Sequence, residues 1–159
     1  MKARGFTVDT LTQLPGTGLQ LVELDGNTAA VGAARSFVIA VLRAWAMPTD
    51  TIDMAELLTS ELATNAVIHG LAAGETFSVE VRSYGCCIGV EVTDNSPDVP
   101  VVRVPASEIE HGRGLLLVAR VSHSWGNYFG GDGRNHVWFH LQTSDPTLPP
   151  AATTVASAA

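Results

Sequence analysis

The sequence predicts an α/β domain in which helices pack on one face of a mixed, mostly antiparallel sheet. Short stretches alternate apolar and polar residues, as strands do, whereas longer stretches repeat apolar residues at helical spacing. Turns containing glycine join neighbouring strands into hairpins. Hairpin strands with helices between them favour a sheet that is covered by helices on one side.

Each element rests on a local signal. Asn27 is a plausible cap for the first helix, and Pro48 follows its end. Gly70 stands where the second helix should stop. The predicted elements, in chain order, are strand 17–26, helix 27–46, helix 49–68, strands 76–84 and 86–94, a loop at 95–110, helix 112–125, and a closing hairpin with its turn at 130–135.

The chain is expected to form one ordered domain, residues 17–142, after a poorly ordered segment at 1–16. Residues 143–159 are rich in Pro, Ala and Thr and lack an apolar period, which predicts a disordered tail. No stretch has the apolar length of a membrane span or of a signal-peptide core, so a cytoplasmic location is expected.

Composition excludes several classes of function. The net charge of −7 over 159 residues argues against direct nucleic-acid binding, which requires a basic surface. Lys2 is the only lysine, beside eight arginines, so the chain has neither a Walker A lysine nor a Schiff-base lysine. Adjacent Cys86 and Cys87 point to opposite faces of a strand and are poor disulfide partners.

The helix "TSELATNAVIHG" (59–70) carries Glu61, Asn65 and His69 at every fourth position, on the side continued by the apolar Met54 and Leu58. A carboxamide oxygen suits Mg²⁺, and a glutamate one turn away could deprotonate a hydroxyl. A solvated or core-edge pair explains Glu61 and Asn65 equally well. His69 is more simply a residue that complements the C-terminal end of the helix dipole.

Two further motifs follow along the chain. In "VTDNSP" (92–97), Asp94 ends an apolar strand, where it could form a turn or accept a hydrogen bond from an exocyclic amine of a base. In "HGRGLLL" (111–117), two glycines open a helix, whose N-terminal amides attract phosphate, although turn formation is the commoner reason for such glycines.

Taken together and in this order, "SELATNAVIHG", "VTDNSP" and "HGRGLLLVARVSHSWG" resemble the three ATP-binding boxes of the GHKL superfamily. The closest likeness is to the bacterial anti-sigma-factor serine/threonine kinases, especially the stand-alone actinobacterial ATP-binding regulators. The likeness runs from about Asn27 to Leu141. It implies a Bergerat-type fold, a two-layer α/β sandwich with ATP held between the helices and the sheet.

The resemblance also implies residue roles, and it would explain why Glu61 and Asn65 face inward, towards a nucleotide. The implied roles are Asn65 as the Mg²⁺ ligand, Glu61 as the general base, Asp94 with Ser96 nearby at the adenine amino group, and Gly112, Arg113, Gly114 and Leu115 as the glycine box at the phosphates. The implied cofactors are ATP and Mg²⁺.

One segment departs from the family pattern. Relatives carry a Gly-Lys-Thr-like segment before the last strand, whereas "DGRNHVWF" has no lysine and His136 stands where the threonine is expected. Arg134 is the cation nearest to the missing lysine, although arginine and lysine are not interchangeable. His136 and His140 suggest no metal site, because a third ligand is lacking.

Two functions are favoured at this point, beside a third class, a protein adaptor whose boxes no longer bind nucleotide. The first is a kinase that uses Mg-ATP to phosphorylate a serine or threonine of an anti-sigma-antagonist protein, and so takes part in transcription regulation. The second is an ATP-gated module that sequesters a sigma factor or another regulator with little transfer, as the missing lysine and threonine suggest. Either would bind protein partners, and no direct contact with nucleic acid or membrane is expected. Homodimers are common among the relatives, but no apolar stripe in the sequence requires one.

Overall fold

The fold is a two-layer sandwich of helices on a mixed sheet, as the sequence predicts. In this computed structural model the described residues are 18–69, 71, 72, 74–84, 86–97, 117, 118, 120–143 and 153–155. Their elements are β1 (Leu19–Asp25), α1 (Thr28–Ala44), α2 (Thr49–His69), β2 (Thr76–Ser83), β3 (Cys87–Asp94), β4 (Ser124–Phe129), β5 (Asn135–Gln142) and β6 (Thr153–Val155).

Within the described residues, the strands form one sheet in the order β4-β5-β3-β2-β1-β6. Every neighbouring pair is antiparallel except β1 and β6, which run parallel. The predicted hairpins β2–β3 and β4–β5 are confirmed, and so is the mixed, mostly antiparallel character of the sheet. In this part of the chain no helix is both long and apolar enough to cross a membrane.

Local chemistry sets the ends of α1. The side chain of Asn27 accepts a hydrogen bond from the backbone N–H of Ala30 at 3.1 Å, which satisfies one of the unpaired amides of the first turn. At the other end Ala46 has a φ of 54°, a left-handed conformation that stops the helix just before Pro48. The predicted cap is therefore confirmed.

The core lies between the two helices and one face of the sheet. α1 packs against β1 and β2, while α2 packs against β3 and β5. Side chains of β2, β3 and β5 alternate between this helix-covered face and the opposite face, as the two-residue period of a strand requires. The largest fully buried side chains include those of Phe37, Phe77, Phe139, Leu42 and Leu58.

Two sequence predictions differ from the structure. The helix predicted over 112–125 does not reach its predicted end, because Ser124 and Trp125 belong to β4 and the described helical residues stop at Val121. Within the predicted tail, Thr153–Val155 pair with β1, whose outer edge offers free backbone groups for a parallel strand. The predicted segment at 1–16 lies outside the described residues, as does most of the predicted loop.

The face of the sheet turned away from the helices, here called the open face, carries a network centred on His136. Its Nδ1 lies 2.7 Å from Glu91 Oε1 and its Nε2 lies 3.2 Å from Asp132 Oδ1. Its ring stacks on Tyr128 with centroids 4.5 Å apart. The Tyr128 hydroxyl donates to Glu91, and burial followed by the charge of Glu91 raises the pKa of Tyr128 to about 12.

His136 is held in a setting that favours its charged form. Burial by itself would lower the pKa of His136, but the hydrogen bonds and charges of Glu91 and Asp132 outweigh it and raise that pKa above its ordinary value. His140, four residues further along the same strand, has a pKa that is shifted in the opposite direction. Burial and then the charge of His123 lower the pKa of His140.

These opposite shifts predict opposite pH dependences of stability. The stabilisation by His136 is complete below its unfolded pKa, near 6.5, and is lost as pH rises through its raised folded pKa. In urea titrations the midpoint of His136→Gln should fall furthest below that of wild type near pH 5.5, and the gap should narrow as pH rises. His140→Gln is the matched control. As pH falls below 6.5, the urea midpoint of wild type should fall relative to that of His140→Gln. If the urea midpoints of all three proteins change with pH in parallel, the opposite pKa shifts of His136 and His140 are contradicted.

Candidate functional site

The polar positions of α2 lie along the border of its buried face. Leu58 is fully buried, Glu61 and Asn65 are half-buried, and His69 is exposed. The expectation that Glu61 and Asn65 face inward is therefore met only in part, because one side of each residue is open to solvent. A half-buried carboxylate and carboxamide one helical turn apart can meet a ligand from solvent without the full cost of burying their polar atoms.

Asp94 lies at the end of β3 and is almost completely buried, with 4% of its surface exposed. Its Oδ1 accepts a hydrogen bond from the backbone N–H of Ser96 at 2.7 Å, so Asp94 does form the turn that its position suggested. The hydroxyl of Ser96 donates to the carbonyl oxygen of His69 at 3.4 Å. This contact joins the end of β3 to the C-terminal end of α2, and two of the three sequence motifs thereby meet.

The surroundings of Asp94 have opposing effects on the pKa of its carboxyl. Burial raises the pKa of this carboxyl above its ordinary value, and it outweighs the opposing influences of the Ser96 N–H, the Asn135 side chain and the nearby cations Arg134 and His136. A buried carboxyl with a raised pKa at the end of a strand is a frequent mark of a functional site.

Asn135 is the residue of β5 that the sequence analysis did not identify. In the β3–β5 register Asp94 lies opposite Asn135, and Thr93 lies opposite His136. Asn135 is 1% exposed, its side chain hydrogen-bonds Asp94, and its Oδ1 has no hydrogen-bond partner. Because neighbouring strand residues point to opposite faces, His136 cannot also face Asp94.

This register decides which face of the sheet each residue occupies. Asn135 lies beside Asp94 on the helix-covered face, and His136 belongs to the network on the open face. No local signal distinguishes the two, because both are polar residues at the start of the same strand. Only the pairing of β3 with β5 decides which of them meets Asp94.

Arg134 has a different task from the one its charge suggested. Its Nε donates to Asn95 Oδ1 at 3.0 Å. A terminal nitrogen of the same guanidinium donates to the carbonyl oxygens of Thr93 at 3.2 Å and Thr76 at 3.4 Å. These bonds fasten the ends of β2 and β3 to the β4–β5 turn. Arg134 therefore supports the backbone around Asp94 and is engaged there.

The remaining candidates cannot be placed in the same way. Gly112, Arg113, Gly114 and Leu115 lie outside the described residues. A depression of about 470 Å³, lined by Glu80, Arg82, Trp138 and others, lies on the open face. It is separated by the sheet from the side chains of Asp94 and Asn135, and so it is not part of the same site.

The residues on α2 fit one mode of metal binding. In the described part of the chain, no group of three or more His, Cys, Asp or Glu side chains is arranged to hold a metal ion. Mg²⁺ in phosphate sites, however, keeps several waters and takes few protein oxygens beside those of the phosphates. The half-buried carboxamide of Asn65 offers one such oxygen, which fits a Mg²⁺ ion that arrives with a nucleotide.

Comparison with known proteins shows the family and the fold to which these elements correspond. The model of the Histidine kinase-like ATPase domain family matches residues 24–141. The crystal structure of the RsbU and RsbW domains of Rv1364c from Mycobacterium tuberculosis is similar, with a TM-score of 0.59 and 16% identity over 88% of this chain. The match spans 35% of that longer chain, and at this identity it shows a shared fold. A search of curated proteins finds no match.

The family match confirms the resemblance to the GHKL superfamily that the three motifs suggested. The matched segment runs from the end of β1 to the end of β5, and it includes both helices and the segment between β3 and β4 that carries the glycine motif. The chain therefore belongs to the family of histidine kinase-like ATPase domains.

Proposed function

We propose that the protein is a Mg-ATP-dependent regulatory kinase of the anti-sigma-factor type, which phosphorylates a serine or threonine of a partner protein. The observation that carries the proposal is the buried pair formed by Asp94 at the end of β3 and Asn135 at the start of β5. The pair combines a carboxyl of raised pKa with an unpaired carboxamide oxygen. Two acceptor oxygens placed together in a buried setting suit a ligand edge that donates hydrogen bonds, as an amino group does.

At this pair, Asp94 would accept a hydrogen bond from the exocyclic amino group of adenine. Asn135 holds the carboxylate through one hydrogen bond and keeps an oxygen that can receive another, from the base or from a bridging water. Ser96 fixes the turn beneath them. In this proposal Asn135 takes the place of the threonine usual among relatives.

The phosphates would then extend along α2 towards Asn65 and Glu61. Glu61 lies two turns before His69, which is about 12 Å along the helix axis. A nucleotide anchored at Asp94 could span such a distance. Mg²⁺ held by Asn65 would neutralise the charge of the phosphate oxygens.

The transfer step gives Glu61 a defined task. The acceptor hydroxyl oxygen bonds to the γ-phosphorus while the bond from that phosphorus to the β–γ bridging oxygen breaks, and ADP leaves with the electron pair. The hydroxyl proton passes to the Glu61 carboxylate. Most of the acceleration in such reactions comes from positioning and charge stabilisation, with the base contributing a smaller factor.

A second function is kept because of Arg134. The sequence has no lysine beyond Lys2, and Arg134 is bound to strand ends. Arg113 of the glycine motif is then the proposed cation for the phosphates, and a single arginine there favours a slow enzyme or an ATP-gated module that sequesters a sigma factor. In that module the carboxylate of Glu61 would have no chemical task, so replacing it separates the two functions.

The Mg²⁺ assignment is tested by calorimetric titration of the protein with ATP, with Mg²⁺ and with EDTA. Wild type should bind ATP more tightly with Mg²⁺, and Asn65→Ala should lose that gain, about ten-fold or more in affinity if the lost ligand bond contributes about 1.4 kcal/mol. Ser60→Ala is the matched control, since Ser60 is half-buried on the same helix and hydrogen-bonds the carbonyl of Glu56. Failure of wild type to bind millimolar ATP would overturn the proposal.

The base assignment is tested with Glu61→Gln, which keeps the shape of the side chain and removes its charge. Phosphoryl transfer to an anti-sigma-antagonist protein should slow by about 10²- to 10⁴-fold, while ATP affinity stays unchanged. Glu56→Gln, a half-buried glutamate on the same helix, should leave the rate unaltered. Equal rates for Glu61→Gln and wild type would favour the sequestering module.

Asp94→Asn should separate stability from function. The raised pKa means that the fold disfavours the ionised carboxylate, so the variant should have a higher urea midpoint at neutral pH. That advantage should shrink as pH falls through the raised pKa. ATP affinity should fall about ten-fold or more, since hydrogen bonds to charged groups contribute roughly 1.5–3 kcal/mol. Asp25→Asn, at the exposed end of β1, is the control and should change neither.

A further inference from the structure

One side of α2 is turned to solvent and carries a continuous row of residues, here called the α2 stripe. Its members recur at intervals of three or four residues, so they lie on one side of the helix. The α2 stripe consists of Asp50, Asp53, Leu57, Glu61, Thr64 and Ile68. None of them belongs to the buried face of the helix.

Two large apolar side chains are exposed on the α2 stripe. Leu57 is 43% exposed and Ile68 is 53% exposed, and no other large hydrophobic side chain of the described helical residues is as open. Single exposed leucines are ordinary on a protein surface. These two, however, lie on either side of Glu61, about 6 Å and 10 Å from it along the helix axis. The half-buried Thr64 lies between Glu61 and Ile68 and adds no charge there.

The N-terminal end of the α2 stripe is acidic. Asp50 and Asp53 are both exposed, and α2 carries four carboxylates without a lysine or arginine. The dipole of the helix explains a carboxylate in the first turn, where Asp50 lies, but it gives no reason for Asp53 or for the absence of basic residues further along. The α2 stripe therefore begins with negative charge and continues with apolar side chains on both sides of Glu61.

We propose that the α2 stripe is the docking surface for the protein that receives the phosphoryl group. That partner would contact it with a segment that combines lysine or arginine with apolar side chains and brings a serine or threonine hydroxyl to Glu61. Complementary charge would orient the segment, and Leu57 and Ile68 would anchor it. This inference rests on the kinase proposal, because Glu61 is both the proposed base and a member of the α2 stripe.

A second copy of the chain fits the α2 stripe poorly. Antiparallel two-fold pairing of identical helices places residues at equal distances on either side of the midpoint against each other, so that a residue at the midpoint meets its own copy. The midpoint of the α2 stripe lies close to Glu61, so two like charges would be brought together where the apolar contact should form. Like charges placed against each other across an interface destabilise it.

The test uses two synthetic peptides that share leucines and one central serine, one with lysines and the other with glutamates at the remaining positions. Each is titrated into the ¹⁵N-labelled protein while amide shifts are followed. The lysine peptide should shift amides along α2, and the glutamate peptide should not bind. The double variant Leu57→Ser/Ile68→Ser should bind the lysine peptide about ten-fold or more weakly, as expected when interface anchors are lost. Asp53→Lys should also lower the affinity for this peptide.

Phe129→Ser is the matched control, because Phe129 is exposed to 53%, as Ile68 is, but lies on β4. It should leave peptide affinity unchanged. The inference is overturned if wild type does not bind the lysine peptide, if the shifts map to the sheet, or if Phe129→Ser weakens binding as much as the double variant. It is also overturned if sedimentation shows that wild type and Phe129→Ser are dimers while the double variant is a monomer.

Calorimetry with ATP on the same variants separates this inference from the kinase proposal. Stripe variants other than those of Glu61 should bind ATP as wild type does, and should raise KM for phosphorylation of the lysine peptide while leaving kcat unchanged. If wild type fails to bind ATP, the kinase proposal fails by itself. If ATP binds and the peptide does not, only the docking surface is lost.

Discussion

The carboxylate of Asp94, buried at the end of β3, is the constraint around which the site is organised. A buried charge is tolerated only when hydrogen bonds and cations surround it. Here the turn amide of Ser96, the side chain of Asn135 and the charge of Arg134 fill that role. Each comes from a loop or a strand end that must then be held in place. The raised pKa of Asp94 shows that these partners do not fully offset its burial.

The two-residue period of β5 separates two polar systems that are neighbours in sequence. Asn135 points to the helix-covered face and meets Asp94, while His136 points to the open face and joins Glu91, Asp132 and Tyr128. The His136 network holds the β4–β5 turn against β3. Arg134 fastens the same turn to the ends of β2 and β3. The turn thereby supports the backbone on which Asp94 depends.

The second half of the site depends on how α2 is rotated. Its buried residues fix the helix against β3 and β5, which leaves Glu61 and Asn65 at the border between core and solvent. At that border the carboxylate of Glu61 and the carboxamide of Asn65 are both half-buried and accessible from solvent. The same rotation turns Leu57 and Ile68 outward beside Glu61. The nucleotide contact and the partner contact proposed above would thus lie on adjacent sides of one helix.

What the sequence determined by itself is the local part of this protein. The cap at Asn27, the hairpin turns, the spacing of Glu61 and Asn65 and the turn at Asp94 depend on residues within a few positions of one another, and they follow from propensity and period. Which residue of β5 meets Asp94, what Arg134 binds, and how far Glu61 is buried were decided only by the tertiary structure. Those properties depend on the register between strands and on helix packing, which a shift of one residue would reverse without altering any local signal.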